Sequence, residues 1–332
     1  MKDFEIVIVG AGPAGLRAAK VLTEEGKKVI VLEKNSVLGQ KVCAGGISPK
    51  IFERIPLPED LIERKFNSII YHSPWQKVKI KSNEILLVTI SRENLGKFLA
   101  KEAQKAGATI FLNSKVKEIK ENRVTLENGK IFSFDYLIGA DGANSLVRKY
   151  LKLPSKLLLT FQYTLPQYFQ NLECFYDPKL FGIGYAWIFP HKNLTKIGCG
   201  DILKFQIAKE LLSNFHLWLK KLKIDISGAK LESGVINYDY RGYQFGKIFL
   251  VGEAAGFLSG FSGGGIYQAL ISGEEIAKKI LNKNYKPKIN SILISLKIQE
   301  KFFRLLKLNR NFTHLFQEIY LFSLKFLNLL KK

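Results

Sequence analysis

The chain has 332 residues, 47% apolar and 24% charged, with a formal net charge of +22 and three cysteines. That apolar fraction supplies a folded core and excludes a disordered chain. Cys43, Cys174 and Cys199 lie far apart with no CxxC pairing, which excludes a disulfide framework or structural zinc site and fits a reducing compartment.

The charge admits three partner classes: nucleic acid, an anionic membrane surface, or an anionic substrate. The lysines are scattered and no nucleic-acid motif is present, so no nucleic acid is expected. A lysine-biased composition accounts for the charge equally well. Met1 leads directly into an apolar strand, without the regions of a secretory signal. No run of ~18 apolar residues is available to span a membrane.

In chain order, "FEIVIVGAGPAGLRAAKVLTEEGKKVIVLEK" reads as strand, tight turn, helix, strand. Gly10, Gly12 and Gly15 have the GxGxxG spacing, with Pro13 and Ala14 opening the helix. The first glycine permits the turn, the second lets backbone approach a pyrophosphate, and the third lets helix pack on strand. The helix over 14–25 aims its N-terminal amides at the phosphates. Lys28 to Leu32 form the second strand, and Glu33, followed by Lys34, is placed to accept hydrogen bonds from a ribose. Next comes "KVCAGGIS" (41–48), a loop with a thiol beside a small flexible run.

Strand-like stretches follow at 67–72, 76–81 and 85–90, then "SRENLGKFLAKEAQKAGATIFL" with Arg92 at a helix start. Asn128-Gly129 and the alternation in "QKVKIKS" signal antiparallel pairing. "FDYLIGADGANSLVRKYL" is a strand ending at Asp141-Gly142, then a helix with Ser145 and Arg148. Further strands fall over 157–199. Among them "YAWIFPHK" places Tyr185, Trp187 and Phe189 on one face. "GKIFLVGEAAGFLSGFSGGGIYQALISGEEIA" is a strand, a Gly252-Glu253 turn, a Gly263-Gly264-Gly265 loop and a helix from Ile266. Near the end, Phe312, Leu315, Phe316, Ile319, Phe326, Leu327 and Leu330 share one helical stripe, flanked by Lys325, Lys331 and Lys332. Such a stripe suits a membrane surface or a core-facing helix alike.

Together the GxGxxG unit, the Asp141-Gly142 turn and the Gly252-Glu253 turn resemble the three fingerprints of FAD-dependent enzymes with a hydroxylase-like architecture. The resemblance implies FAD as cofactor, with Arg92 reaching its phosphates and Asp141-Gly142 near the pyrophosphate. Glu253 would accept from ribityl hydroxyls, although the family usually has Asp there. The Gly263-Gly264-Gly265 helix start would face the flavin N1 edge, where a helix N-terminus stabilises the anionic reduced ring.

Two motifs narrow the family. "KVCAGGIS" resembles the Lys-x-Cys-Gly-Gly-Gly stretch of the geranylgeranyl reductase family, and "YAWIFPHK" resembles its Tyr-x-Trp-x-Phe-Pro motif. The chain departs from the family at Ala44, where Gly is favoured, and at Gly182 and Gly260, where Pro is common.

The resemblance implies an α/β fold: a Rossmann-type FAD-binding lobe (1–65 with 91–156 and 246–285) interleaved with an antiparallel-sheet substrate lobe (66–90 with 157–245). C-terminal helices occupy 286–332. It places Lys41, Cys43, Ala44 and Gly45 at the cofactor, and Gly46, Tyr185, Trp187, Phe189 and Pro190 at the substrate.

The implied reaction is reduction of isolated C=C bonds in a prenyl lipid, in a cytoplasmic enzyme with possible contact to a membrane. Cys43 then borders the reacting bond and assists proton delivery, or is an inert packed thiol. The electron donor (NADPH, NADH or ferredoxin) is left open. Two rival readings stand beside this one: a flavin monooxygenase on a small aromatic or apolar substrate, and a non-catalytic flavin- or lipid-binding protein.

Overall fold

A computed structural model describes residues 4–202, 207–306 and 310–330. The side chains of Phe312, Lys325, Phe326, Leu327 and Leu330, and the whole of Lys331 and Lys332, lie outside the described set. The chain forms two compact units, each assembled from three separate segments.

The first unit comprises Met1–Gln40, Arg92–Leu157 and Ile236–Gln299. Its six-stranded sheet runs in the order Gln244–Phe245, Ile248–Leu250, Tyr136–Gly139, Ile6–Val9, Val29–Leu32, Thr109–Phe111. All neighbours are parallel except the Gln244–Phe245 edge. Every residue of Ile6–Val9 and of Val29–Leu32 is buried, as a parallel strand covered on both faces requires.

The helix Pro13–Glu24 packs against Ile266–Leu281 so closely that a Cβ on Gly273 would lie 2.2 Å from the Ala14 carbonyl oxygen. The Asn128-Gly129 hairpin turns within a separate three-stranded antiparallel sheet of this unit (Val116–Lys120, Arg123–Leu126, Ile131–Ser133).

The second unit comprises Lys41–Ser91, Leu158–Val235 and Glu300–Lys332. In its seven-stranded sheet four described pairings are antiparallel and one, Glu173–Phe175 with Ser68–His72, is parallel. The helix Ile207–Lys221 covers one face with Leu211, Phe215, Trp218 and Leu219. On the other face Trp187, Phe189, Phe66 and Tyr176 form a second cluster, which Leu321 of the helix Arg310–Leu330 completes. Part of "KVCAGGIS", expected as a loop, is a strand: Gly46–Ile47 pairs with Leu87–Ile90 in a small second sheet.

The C-terminal stripe divides in an unexpected way. Leu315 and Ile319 are exposed, while Thr313, Gln317 and Glu318 are buried. The cause is a contact with a distant segment: the Glu318 carboxylate accepts from Ser73 Oγ and from Gln76 Nε2, so the polar side of the helix is drawn onto the 73–76 turn. Among the described residues, no helix is long and apolar enough to cross a membrane.

Candidate functional site

The three glycines of the first turn have different physical duties. Gly10 sits at φ +103, and a Cβ there would lie 2.5 Å from the Ala140 carbonyl oxygen. At Gly15 a Cβ would lie 2.1 Å from the Gly10 carbonyl oxygen. Both positions therefore exclude a side chain because of the protein's own backbone.

Gly12 differs, since its Cβ would meet only the Ala140 carbonyl oxygen at 3.8 Å. What its missing side chain clears is space in front of the helix, where Pro13 occupies the first turn and Ala14 is buried. A cradle of this kind accepts a phosphate.

Glu33 is buried behind the turn. Its Oε2 accepts from the Ala11 amide at 2.8 Å and its Oε1 from the Asn35 amide at 3.0 Å. The carboxylate thus also fastens the glycine turn, and each oxygen keeps acceptor capacity for a ribose hydroxyl. Lys34 beside it is exposed.

Arg92 opens the helix Arg92–Lys105 and is 8% exposed, yet its Nε and Nη1 have no hydrogen-bond partner. A buried guanidinium with unpaired N–H groups is costly without an anion. Asp141 presents a similar case of opposite sign. Its Oδ2 accepts from the Leu146 and Val147 amides, while Oδ1 is buried without a partner. Burial pushes this carboxyl above the usual carboxylate range.

The neighbouring Gly142 lies at φ +76, and its Cβ would sit 3.7 Å from Glu253 Oε2, so the two turns converge. Glu253 Oε1 accepts from the Asn237 amide at 3.2 Å, and its carbonyl accepts from Asn237 Nδ2 at 3.1 Å. Gly252, at φ +56, donates its amide to Ser272 Oγ. Gly263 (φ +64), Gly264 and Gly265 lead into the helix that Ile266 begins. The orphaned Arg92 nitrogens, the orphaned Asp141 oxygen and the space at Gly12 fit a dinucleotide with a pyrophosphate.

Residues expected in the remaining roles belong to the second unit. Lys41 is exposed and Cys43 half-buried, with the Gly45 amide donating to Cys43 Sγ at 3.4 Å. Gly45 lies at φ +80, and its Cβ would fall 2.6 Å from the Ile90 carbonyl oxygen and 2.7 Å from His191 Cε1. A Cβ on Gly46 would fall 2.5 Å from Phe189 Cε2. The loop and the aromatic strand are thus packed together, with Ala44 against the same cluster.

Along the strand, Trp187 and Phe189 are buried with the half-buried Tyr185 on one face, and Ala186 and Ile188 belong to the cluster on the other. Pro190 is buried, and its carbonyl accepts from Thr89 Oγ1. Burial pushes the Tyr185 hydroxyl well up and the Cys174 thiol to about 12. Both are neutral in the cluster.

Several organising residues went unnoticed in the sequence. Asn237 was one, and Arg148 was seen only as part of a helix. Buried to 1% exposure, Arg148 donates to the carbonyls of Pro154, Ala254 and Asp239 and so fixes the turn that carries Glu253. Next to the aromatic motif, His191 pairs with Glu63 across 128 residues of sequence. His191 follows Pro190 directly, and a rare histidine beside a motif was the available signal.

Comparisons with known proteins point to FAD as the cofactor. A family model described as an FAD binding domain matches residues 3–160. An uncharacterized protein of Methanosarcina barkeri is 33% identical over 86% of this chain and 76% of its own length. The digeranylgeranylglycerophospholipid reductase 3 of Methanosphaera stadtmanae is 29% identical over 86% of this chain and 80% of its own. Among solved structures, a geranylgeranyl bacteriochlorophyll reductase-like protein from Thermoplasma acidophilum shares the fold. Its TM-score is 0.76 at 22% identity, covering 98% of this chain and 88% of that one.

Proposed function

Because the chain belongs to the geranylgeranyl reductase family of FAD-dependent oxidoreductases, we propose that it reduces isolated C=C bonds in a prenyl chain carried by a lipid. The observation that carries this reading is the packing of its two family motifs against each other, with Gly46 leaving no room for a side chain beside Phe189. In this reading the first unit holds FAD, and Tyr185, Trp187, Phe189 and Pro190 with Gly46 offer the prenyl chain an apolar surface.

An isolated alkene is a poor hydride acceptor, so the protein must fix it in place, exclude water and provide a proton. When bound and reduced, FAD would supply the hydride, and an external reductant (a nicotinamide cofactor or a ferredoxin) would return it to the reduced form. For the cofactor, Arg92 pairs a phosphate, Gly10, Gly12 and Gly15 shape the cradle, and Glu33 and Glu253 accept from hydroxyls.

For the substrate, Cys43 donates the thiol proton to the second alkene carbon and recovers one from solvent, which its half-buried position permits. The lipid enters from a membrane surface that the exposed face of the C-terminal helix contacts.

Anaerobic assay of the FAD-loaded protein with a geranylgeranyl lipid and a chemical reductant such as dithionite should yield saturated product. Oxygen consumption with a hydroxylated product would identify a monooxygenase instead, and flavin binding without turnover a carrier. Cys43→Ala should lower turnover about a hundredfold, the usual scale for a positioned proton donor. Undiminished turnover removes Cys43 from the chemistry.

A further inference from the structure

His191 stands where the aromatic strand ends, 2% exposed. Its Nδ1 is 2.5 Å from Glu63 Oε2 and its Nε2 is 2.9 Å from the Ala44 carbonyl oxygen. Both neighbours offer acceptor oxygens, an arrangement that a ring donating from both nitrogens satisfies. Glu63 is the counter-ion: its hydrogen bond with His191 holds the carboxyl below the usual carboxylate range. Lys196 lies on the adjacent strand and donates from Nζ to the Cys43 carbonyl at 3.0 Å.

Two consecutive carbonyls of the thiol-bearing loop are therefore each held by a cation. The backbone they fix is the one least able to hold itself. Gly45 is in the left-handed region, and its amide donates to Cys43 Sγ. On the other side, its carbonyl accepts from the Ile90 amide at 3.0 Å.

We propose that His191, charged and oriented by Glu63, is a positioning residue that locks the Cys43–Gly46 backbone and so sets where the Cys43 thiol points. This rests on the reading of that loop as part of a prenyl-reducing site. The groups facing the His191 ring are Glu63 and the Ala44 carbonyl, and Lys196 and Lys192 act on Glu63 from the strand and turn beside it. His191 need not touch substrate to matter, because a loop displaced by ~1 Å costs a positioned reaction about a hundredfold.

The test uses the full FAD-loaded chain. Nitrogen-15 NMR of the wild-type ring at neutral pH should show protons on both His191 nitrogens. A ring with one bare nitrogen overturns the charged lock. In His191→Phe the amides of Gly45 and Ile90 should exchange with deuterium about tenfold faster, the scale of one lost charge-assisted hydrogen bond. His191→Gln, which can still donate to the Ala44 carbonyl, should restore most of the protection.

In turnover, His191→Phe should lower kcat at least tenfold with KM little changed. Unaltered exchange in His191→Phe, or unaltered kcat, overturns the proposal. If His191→Phe does not fold, Glu63→Gln, at the more exposed partner, carries the same exchange and kcat criteria. A wild-type protein that reduces no prenyl alkene would instead refute the proposed function while leaving the NMR and exchange results to judge the lock.

Discussion

Arg92 concentrates the physics of the cofactor site in one side chain. A buried guanidinium with two unpaired donor atoms costs the fold free energy, which a cofactor phosphate would offset under the proposed role. Arg92→Met should therefore weaken FAD binding about tenfold to a hundredfold, one charge-assisted contact's worth, while holding or raising the melting temperature of the FAD-free protein. Flavin fluorescence titration and thermal unfolding measure the two arms. A variant that loses stability and keeps affinity would place Arg92 in the scaffold only.

Glu63 gives a pH-dependent counterpart. Its folded carboxyl titrates below the unfolded one, so its contribution is present above the unfolded value of about 4.3 and lost as pH falls through the folded value. The stability difference between wild type and Glu63→Gln should shrink toward zero on acidification below that range. A constant difference across the same pH span would mean that the carboxylate charge contributes nothing. At this scale the sequence is readable where a residue's duty is local. Gly15 answers to the Gly10 carbonyl within the same turn, and Gly10, although it meets distant Ala140, is announced by its spacing to Gly12 and Gly15. Glu63 and Asn237 answer to partners across 128 and 16 positions, and nothing in the linear order announces those pairs.

Among the elements, the contact of Pro13–Glu24 with Ile266–Leu281 sets the geometry of both glycine-rich turns at once. Gly273 makes it possible, since a Cβ there would overlap the Ala14 backbone, and Arg17 and Glu274 close it with an ion pair. Backbone cannot yield as a flexible side chain does, so Gly273→Ala should cost about 1–3 kcal/mol despite improving helix propensity. Denaturant unfolding checks this, and a stabilised variant would show that the helices can separate freely. The strand-turn-helix fingerprints were legible because apolar runs, glycines and acids recur in a fixed local order. Gly46–Ile47 was read as loop because two residues carry no periodicity, and only the pairing with Thr89 and Val88 makes them a strand. For Leu315 and Ile319 the sequence left an outward and a core-facing turn equally open. The helical stripe was readable, but the Ser73 and Gln76 donors that capture Glu318 come from another segment.

At the scale of the whole molecule the net charge of +22 accompanies an exposed apolar face on the C-terminal helix. Leu315, Ile319 and Phe322 recur at helical spacing and are 48%, 54% and 63% exposed on the C-terminal helix, with Trp75 of the neighbouring turn at 68%. An apolar face on a basic chain suits an anionic bilayer, to which each nearby lysine adds about 1 kcal/mol at modest ionic strength. The protein should co-sediment with vesicles containing anionic phospholipid, less with zwitterionic ones, and less as salt rises. Deleting the last twenty or so residues is a confounded test, because it also removes Leu321, which is fully buried in the aromatic cluster. Replacing Ile319 and Phe322 by Glu is cleaner, since both side chains face solvent and neither belongs to that cluster. These changes should abolish vesicle binding while leaving the melting temperature and flavin content as they were. Binding that persists in the double variant would assign the attraction to the scattered lysines alone and remove the helix face from lipid delivery.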